Sequence, residues 1–119
     1  MSTPIQIELS WSNPIGIYKT ELLAEYSRID DRVRKLVLFV KHWSKVRNLS
    51  NTRRGGMGSF AWSLICIYFL MKVTEPPVVP NLQALAVTTH YFQGHSVAFS
   101  KDIGGSNRWS ANAKVCRTE

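Results

Sequence analysis

The residues best suited to chemistry in this chain are basic. From Arg32 to Arg54 come Arg32, Arg34, Lys35, Lys41, Lys45, Arg47, Arg53 and Arg54, with no acid between them. Lys41 and Lys45 stand one helical turn apart, so they project from the same side of a helix. Two ammonium groups so placed repel mildly unless an anion bridges them. A triphosphate or an RNA backbone would do so through charge-assisted hydrogen bonds. The spacing alone is equally satisfied by a solvated basic face.

Arg53-Arg54-Gly55-Gly56-Met57-Gly58-Ser59 follows, leading into an apolar segment. Glycines let backbone N–H groups turn toward a ligand, and a helix N-terminus favours anions. Ser59 stands where it could cap that helix or touch a phosphate. The segment lacks the Gly-Lys-Ser/Thr ending of a Walker loop. Glu8 is a lone carboxylate, whereas metal-assisted phosphoryl chemistry needs two or three carboxylates around Mg²⁺. No Asp-x-Asp pair occurs, and Asp30 and Asp31 read as a helix cap. His42, His90 and His95 have no partners at metal-ligand spacing and read as structural or surface residues.

Three helices must position these groups. Ile15, Tyr18, Leu22, Leu23 and Tyr26 fall on one face and predict a helix from Ile15 to Tyr26. Asp30 or Asp31 starts a second, running to about Asn48, with the stripe Val33, Leu36, Val37, Val40, Trp43 and Val46. A third helix spans about Ser59 to Val73. It is apolar almost all round and shorter than the run of about 20 residues a membrane span needs, so it reads as a central core helix. Pro76, Pro77 and Pro80 stop it. Ahead of the helices, Ile5, Ile7, Leu9 and Trp11 alternate with polar residues and predict a strand. Val97-Ala98-Phe99 suggests a short one near the end.

The composition fits a single basic domain. The 119 residues are 45% hydrophobic, enough for a core, and carry a formal charge of +7. That balance favours polyanionic partners. Cys66 lies in an apolar run and Cys116 in a polar tail, which reads as two reduced thiols. The N-terminus shows no secretory signal.

Several segments, taken in order, resemble a known family. Asn13-Pro14-Ile15-Gly16-Ile17-Tyr18-Lys19-Thr20-Glu21-Leu22-Leu23 is followed by Tyr26, Asp30 and Arg32-Val33. Leu36-Val37-Leu38-Phe39-Val40-Lys41-His42-Trp43-Ser44-Lys45, Gly58-Ser59-Phe60 and Pro80-Asn81-Leu82-Gln83 come next. Together they resemble the central domain of the noncanonical poly(A) polymerases and terminal uridylyltransferases, in the DNA polymerase β-like nucleotidyltransferase superfamily. The resemblance covers about residues 5–99.

It implies a mainly α fold, a bundle of three main helices with an N-terminal strand and a short C-terminal β segment. Residues 1–12 would be the last strand of a nucleotidyltransferase (palm) domain, 13–99 the helical central domain and 100–119 a divergent, poorly ordered tail. The family transfers nucleoside monophosphates from UTP or ATP to RNA 3′ ends with Mg²⁺, Mn²⁺ being an alternative. Carried over by position, Lys41 and Lys45 would hold the triphosphate, and Thr20 and Lys19 would contact the sugar. Ser59 would contact the phosphates and Phe60 would stack on the base. Glu8 would stand where the family has a third metal-binding Asp, Lys19 where it has Asn, and Phe60 where it has Tyr.

The palm domain's Gly-Ser loop and Asp-x-Asp pair do not occur, so the chain alone is expected not to catalyse transfer. The reading is a fragment of an RNA 3′-terminal uridylyl- or adenylyltransferase. The alternative is a non-catalytic basic RNA-binding or scaffold module derived from that fold. No membrane partner is expected, and the compartment, cytoplasmic or mitochondrial, stays open.

Overall fold

The computed structural model describes residues 7, 9, 11–87 and 89–101. Helix α1, Pro14–Ile29, begins with proline at its first position, where a missing N–H costs nothing. It ends at Asp30, whose extended backbone also starts helix α2, Asp31–Val46. The Asp30 carboxylate accepts the Arg32 N–H at 2.8 Å and a forked pair of bonds from the Arg32 guanidinium. The guanidinium holds the Asp30 carboxyl below its ordinary range.

Helix α2 stops two residues before the predicted Asn48. Asn48 takes φ 58°, the left-handed conformation that asparagine tolerates. Its N–H bonds the Lys45 carbonyl at 3.1 Å, and the Leu49 N–H bonds the Ser44 carbonyl at 2.8 Å. This pair of bonds is a Schellman closure, and it turns the chain back over the end of α2. Ser44, fully buried, braces the reversal with a 2.7 Å hydrogen bond to the Ser50 hydroxyl.

Helix α3 runs Ser59–Tyr68 and continues as a widened turn, Phe69–Val73, closed by the Thr74 N–H on the Phe69 carbonyl at 3.2 Å. The chain then lies extended over the helices. Val78, Val79 and Pro80 are buried there, and Leu82 is 1% exposed. The Leu82 N–H donates to the Tyr26 hydroxyl at 3.2 Å. Asn81 accepts the N–H groups of Gln83 and Ala84 through its side chain, which folds the following turn. The Pro-Asn-Leu-Gln segment is thus a plug that closes the core built by Leu22, Tyr26, Val33, Ile67 and Leu70.

Four sequence expectations need correction. No N-terminal strand is seen among the described residues: Ile7, Leu9 and Trp11 are not in a strand and are 76%, 93% and 96% exposed. A strand needs hydrogen-bonding partners, and no described segment pairs with them. The β segment lies upstream of Val97, as the hairpin β1 (Tyr91–Phe92) and β2 (His95–Ser96). Gln93 and Gly94, with φ 50° and 79°, make the tight reversal that suits the twist of paired strands. The Val97 N–H extends the pairing to the His90 carbonyl.

Helix α3 is not enclosed on all sides. Cys66, Ile67 and Leu70 are buried, while Ile65, Tyr68 and Phe69 are 46%, 61% and 45% exposed. Val46, assigned to the inner stripe of α2, is 66% exposed because that helix is already ending. Among the described residues no helix is long and apolar enough to cross a membrane. Of the predicted tail, 100–119, residues 102–119 with Cys116 among them lie outside the described residues.

Candidate functional site

The end of α2, the reversing segment and the start of α3 together enclose a cleft of about 690 Å³. Lys41, Lys45, Arg53 and Ser59 line it, joined by His42 and Asn51. The two lysines come from adjacent turns of one helix face. Arg53 is presented by a short 3₁₀ turn, Thr52–Arg54, which Asn51 organises. The Asn51 side chain accepts the Arg53 N–H at 3.1 Å, and its carbonyl accepts the Gly56 N–H at 2.9 Å. Gly56 has to be glycine, because a Cβ there would lie 2.3 Å from the Leu49 carbonyl oxygen.

Ser59 is the first residue of α3. Gly58 occupies the capping position, and no side chain caps the helix. The first-turn N–H groups therefore keep their partial positive charge available to a ligand.

Among the described residues four cations are paired with acids. Arg28 pairs with Glu25, Arg32 with Asp30, Lys35 with Asp31 and Lys101 with Glu21. Lys41, Lys45 and Arg53 have no acidic partner among the described residues. Three cations, a hydroxyl and a helix start with no side-chain cap converge on one concavity, which is the equipment for an anion carrying several charges.

The other predicted residues lie elsewhere or form separate contacts. Phe60 follows Ser59 in α3, and the Lys19 ammonium sits 5.1 Å from the centre of its ring, a cation–π contact between α1 and α3. Thr20 is not in the cleft. Its hydroxyl donates to the Gly16 carbonyl at 2.9 Å, and it borders a separate shallow depression at the start of α1 with Asn13 and Ile17. Glu8 lies outside the described residues. Among the described residues no group of three His, Cys, Asp or Glu gathers to hold a metal ion. The Mg²⁺ expected from the resemblance therefore finds no ligand set in them. His42, His90 and His95 are all exposed.

Arg53, Asn51 and His42 were not singled out from the sequence as site residues. The signal for Arg53 was present in Asn51-Thr52-Arg53, since asparagine readily bonds the backbone two residues on. Two groups of the core are displaced by burial, away from the cleft. Burial pushes the Cys66 thiol up, so it stays protonated and unreactive. Burial also raises Tyr26, opposed by its hydrogen bond from Leu82.

No family model matches the chain. It is similar to the terminal uridylyltransferase cid1 of Schizosaccharomyces pombe, 36% identical over 77 residues, covering 65% of this chain and 19% of that protein. It is 32% identical over 112 residues to caffeine-induced protein 16 of the same species, covering 94% of this chain and 9% of that one. It is 36% identical over 81 residues to the poly(A) RNA polymerase gld-2 homolog A of Drosophila melanogaster, covering 68% of this chain and 6% of that protein. Among solved structures, the Cid1 poly(U) polymerase bound to Mg 3′-dATP superposes with a TM-score of 0.73 at 31% identity, over 80% of this chain and 30% of that one. The chain thus spans less than a fifth of the length of each of these curated relatives.

Proposed function

The chain is homologous to part of the Cid1- and GLD2-type RNA nucleotidyltransferases, and from that kinship we propose that it binds a nucleoside triphosphate, UTP or ATP, in the cleft of Lys41, Lys45 and Ser59. In this reading the chain is the helical share of an enzyme that extends RNA 3′ ends. The palm domain and its metal-binding carboxylates are supplied by residues other than those described. The two lysines act as an electrostatic clamp. They hold the β- and γ-phosphates and balance the charge that develops on the leaving pyrophosphate. Ser59 donates a hydrogen bond to the same phosphates. Phe60 stacks on the base, and Lys19 and Thr20 attend the sugar. Mg²⁺ would supply charge neutralisation at the transferring phosphate in the complete enzyme.

The observation that carries this reading is that Lys41, Lys45 and Ser59 line one concave site in which neither lysine has an acidic partner among the described residues. Calorimetric titration of the purified chain with UTP and with ATP tests it. The K41A/K45A variant is expected to bind triphosphate about a hundredfold more weakly, from two lost charge-assisted contacts of about 1.5 kcal/mol each. Equal affinity in variant and wild type would overturn the clamp.

A second reading is a basic module that binds RNA without catalysis. Arg34, Arg47 and Arg54 favour it, since they too are exposed and lack acidic partners among the described residues. Titration with a single-stranded oligouridylate separates the two. Tight RNA binding with no measurable triphosphate binding supports this second reading.

A further inference from the structure

We propose that Arg53 is a third cationic contact to the triphosphate, a binding residue that the lysine-pair motif does not contain. The inference rests on the reading of the cleft as a triphosphate site and adds a residue to it. Arg53 lies within a segment whose glycines and polar residues suggest an ordinary loop, yet the structure builds that segment as a fixed bracket. The Schellman closure at Asn48 reverses the chain over α2. The Ser44–Ser50 hydrogen bond ties the reversal to the helix. The Met57 N–H bonds the Leu49 carbonyl at 3.0 Å, closing the bracket from its far side. Within it, Asn51 fixes the Arg53 backbone directly.

The consequence is that Arg53, carried by the bracket, lines the same cleft as Lys41 and Lys45 of α2. It has no carboxylate partner among the described residues. The chemistry differs from that of the lysines. A guanidinium offers a planar fork of donors that engages two oxygens of one phosphate, whereas an ammonium acts as a point charge. Lys41 and Lys45 from α2 and Arg53 from the Thr52–Arg54 turn would then hold the triphosphate from two elements. The neighbouring Arg54 is exposed and does not line the cleft, so it serves as an internal control.

The test compares wild type, R53A, R53K and R54A by calorimetry against UTP, UDP and UMP, with far-UV circular dichroism to verify the helices. R53A is expected to weaken UTP about tenfold, the loss of one charge-assisted contact. R53K should restore only part of the loss, because it keeps the charge without the fork. R54A should bind like wild type. UMP, which offers a single phosphate, should bind far more weakly than UTP and respond less to R53A.

If wild type binds UTP and K41A/K45A weakens it while R53A does not, this inference is overturned and the clamp stands. If R53A weakens oligouridylate but not UTP, Arg53 belongs to an RNA path and the inference is likewise overturned. If wild type binds no triphosphate at all, the clamp reading falls, and this inference falls with it.

Discussion

In the proposed site, Phe60 offers a way to separate base recognition from phosphate recognition. Its ring carries the Lys19 ammonium at 5.1 Å on one side. A ring holding a cation on one face can still stack a base on the other. Base–aromatic stacking contributes about 1–3 kcal/mol by alanine substitution, so F60A is expected to weaken UTP roughly tenfold while leaving inorganic triphosphate nearly unchanged. Competition of inorganic triphosphate against a fluorescent nucleotide measures both. Equal losses for UTP and inorganic triphosphate would mean that Phe60 shapes the cleft rather than stacking. The lysine pair was legible in the sequence as a shared helix face, while the roles given to both lysines and to Phe60 came from the family resemblance. Arg53 was not legible, because its position depends on Asn51, Gly56 and Leu49 meeting in space. Thr20, carried over by position, donates its hydroxyl to the Gly16 carbonyl of its own helix.

At the scale of elements, the bracket between α2 and α3 is the part most exposed to a single change. A Cβ at Gly56 would press to 2.3 Å from the Leu49 carbonyl oxygen and 2.9 Å from that of Asn51, both of them backbone and unable to move aside cheaply. G56A is expected to destabilise the chain by about 1–3 kcal/mol, as overpacking does, and to reduce triphosphate affinity several-fold as Arg53 shifts. Thermal melts and the same titrations check the two effects. A G56A variant that binds like wild type would show that the bracket does not set the cleft.

The helices themselves were legible. Their apolar spacing placed α1, α2 and α3 within a few residues, since amphipathic periodicity is a local signal. The exceptions were non-local. Alternation at Ile7, Leu9 and Trp11 satisfied the pattern for a strand, but a strand exists only if a partner strand does. The hairpin at Tyr91–Ser96 was missed because two-residue strands are too short to show a period, although Gln93-Gly94 carried the turn chemistry. Helix α3, apolar all round, suggested full burial. Apolar residues reveal that a face can be covered, not that it is, and Tyr68 and Phe69 remain exposed.

At the scale of the whole molecule, charge is distributed with a direction. The chain carries 15 Lys and Arg against 8 Asp and Glu, and the stretch from Arg32 to Arg54 holds no acid. Four of the eight acids are spent on pairing: Glu25, Asp30, Asp31 and Glu21 neutralise Arg28, Arg32, Lys35 and Lys101. What remains is a surplus concentrated at one end of the α2–α3 pair, where Lys41, Lys45 and Arg53 face a single cleft. A ligand held there by unpaired exposed cations must compete with salt, since screening shortens to roughly 10 Å at 0.1 M and tightens further above it. Triphosphate affinity is therefore expected to fall about tenfold or more between about 50 and about 300 mM salt. The fall should flatten in K41A/K45A and in R53A, because each removes a charge that screening acts upon, while R54A should keep the wild-type slope. A triphosphate affinity independent of salt would place the binding energy in stacking and hydrogen bonds, and would make the acid-free stretch a solvated face with no part in holding phosphate.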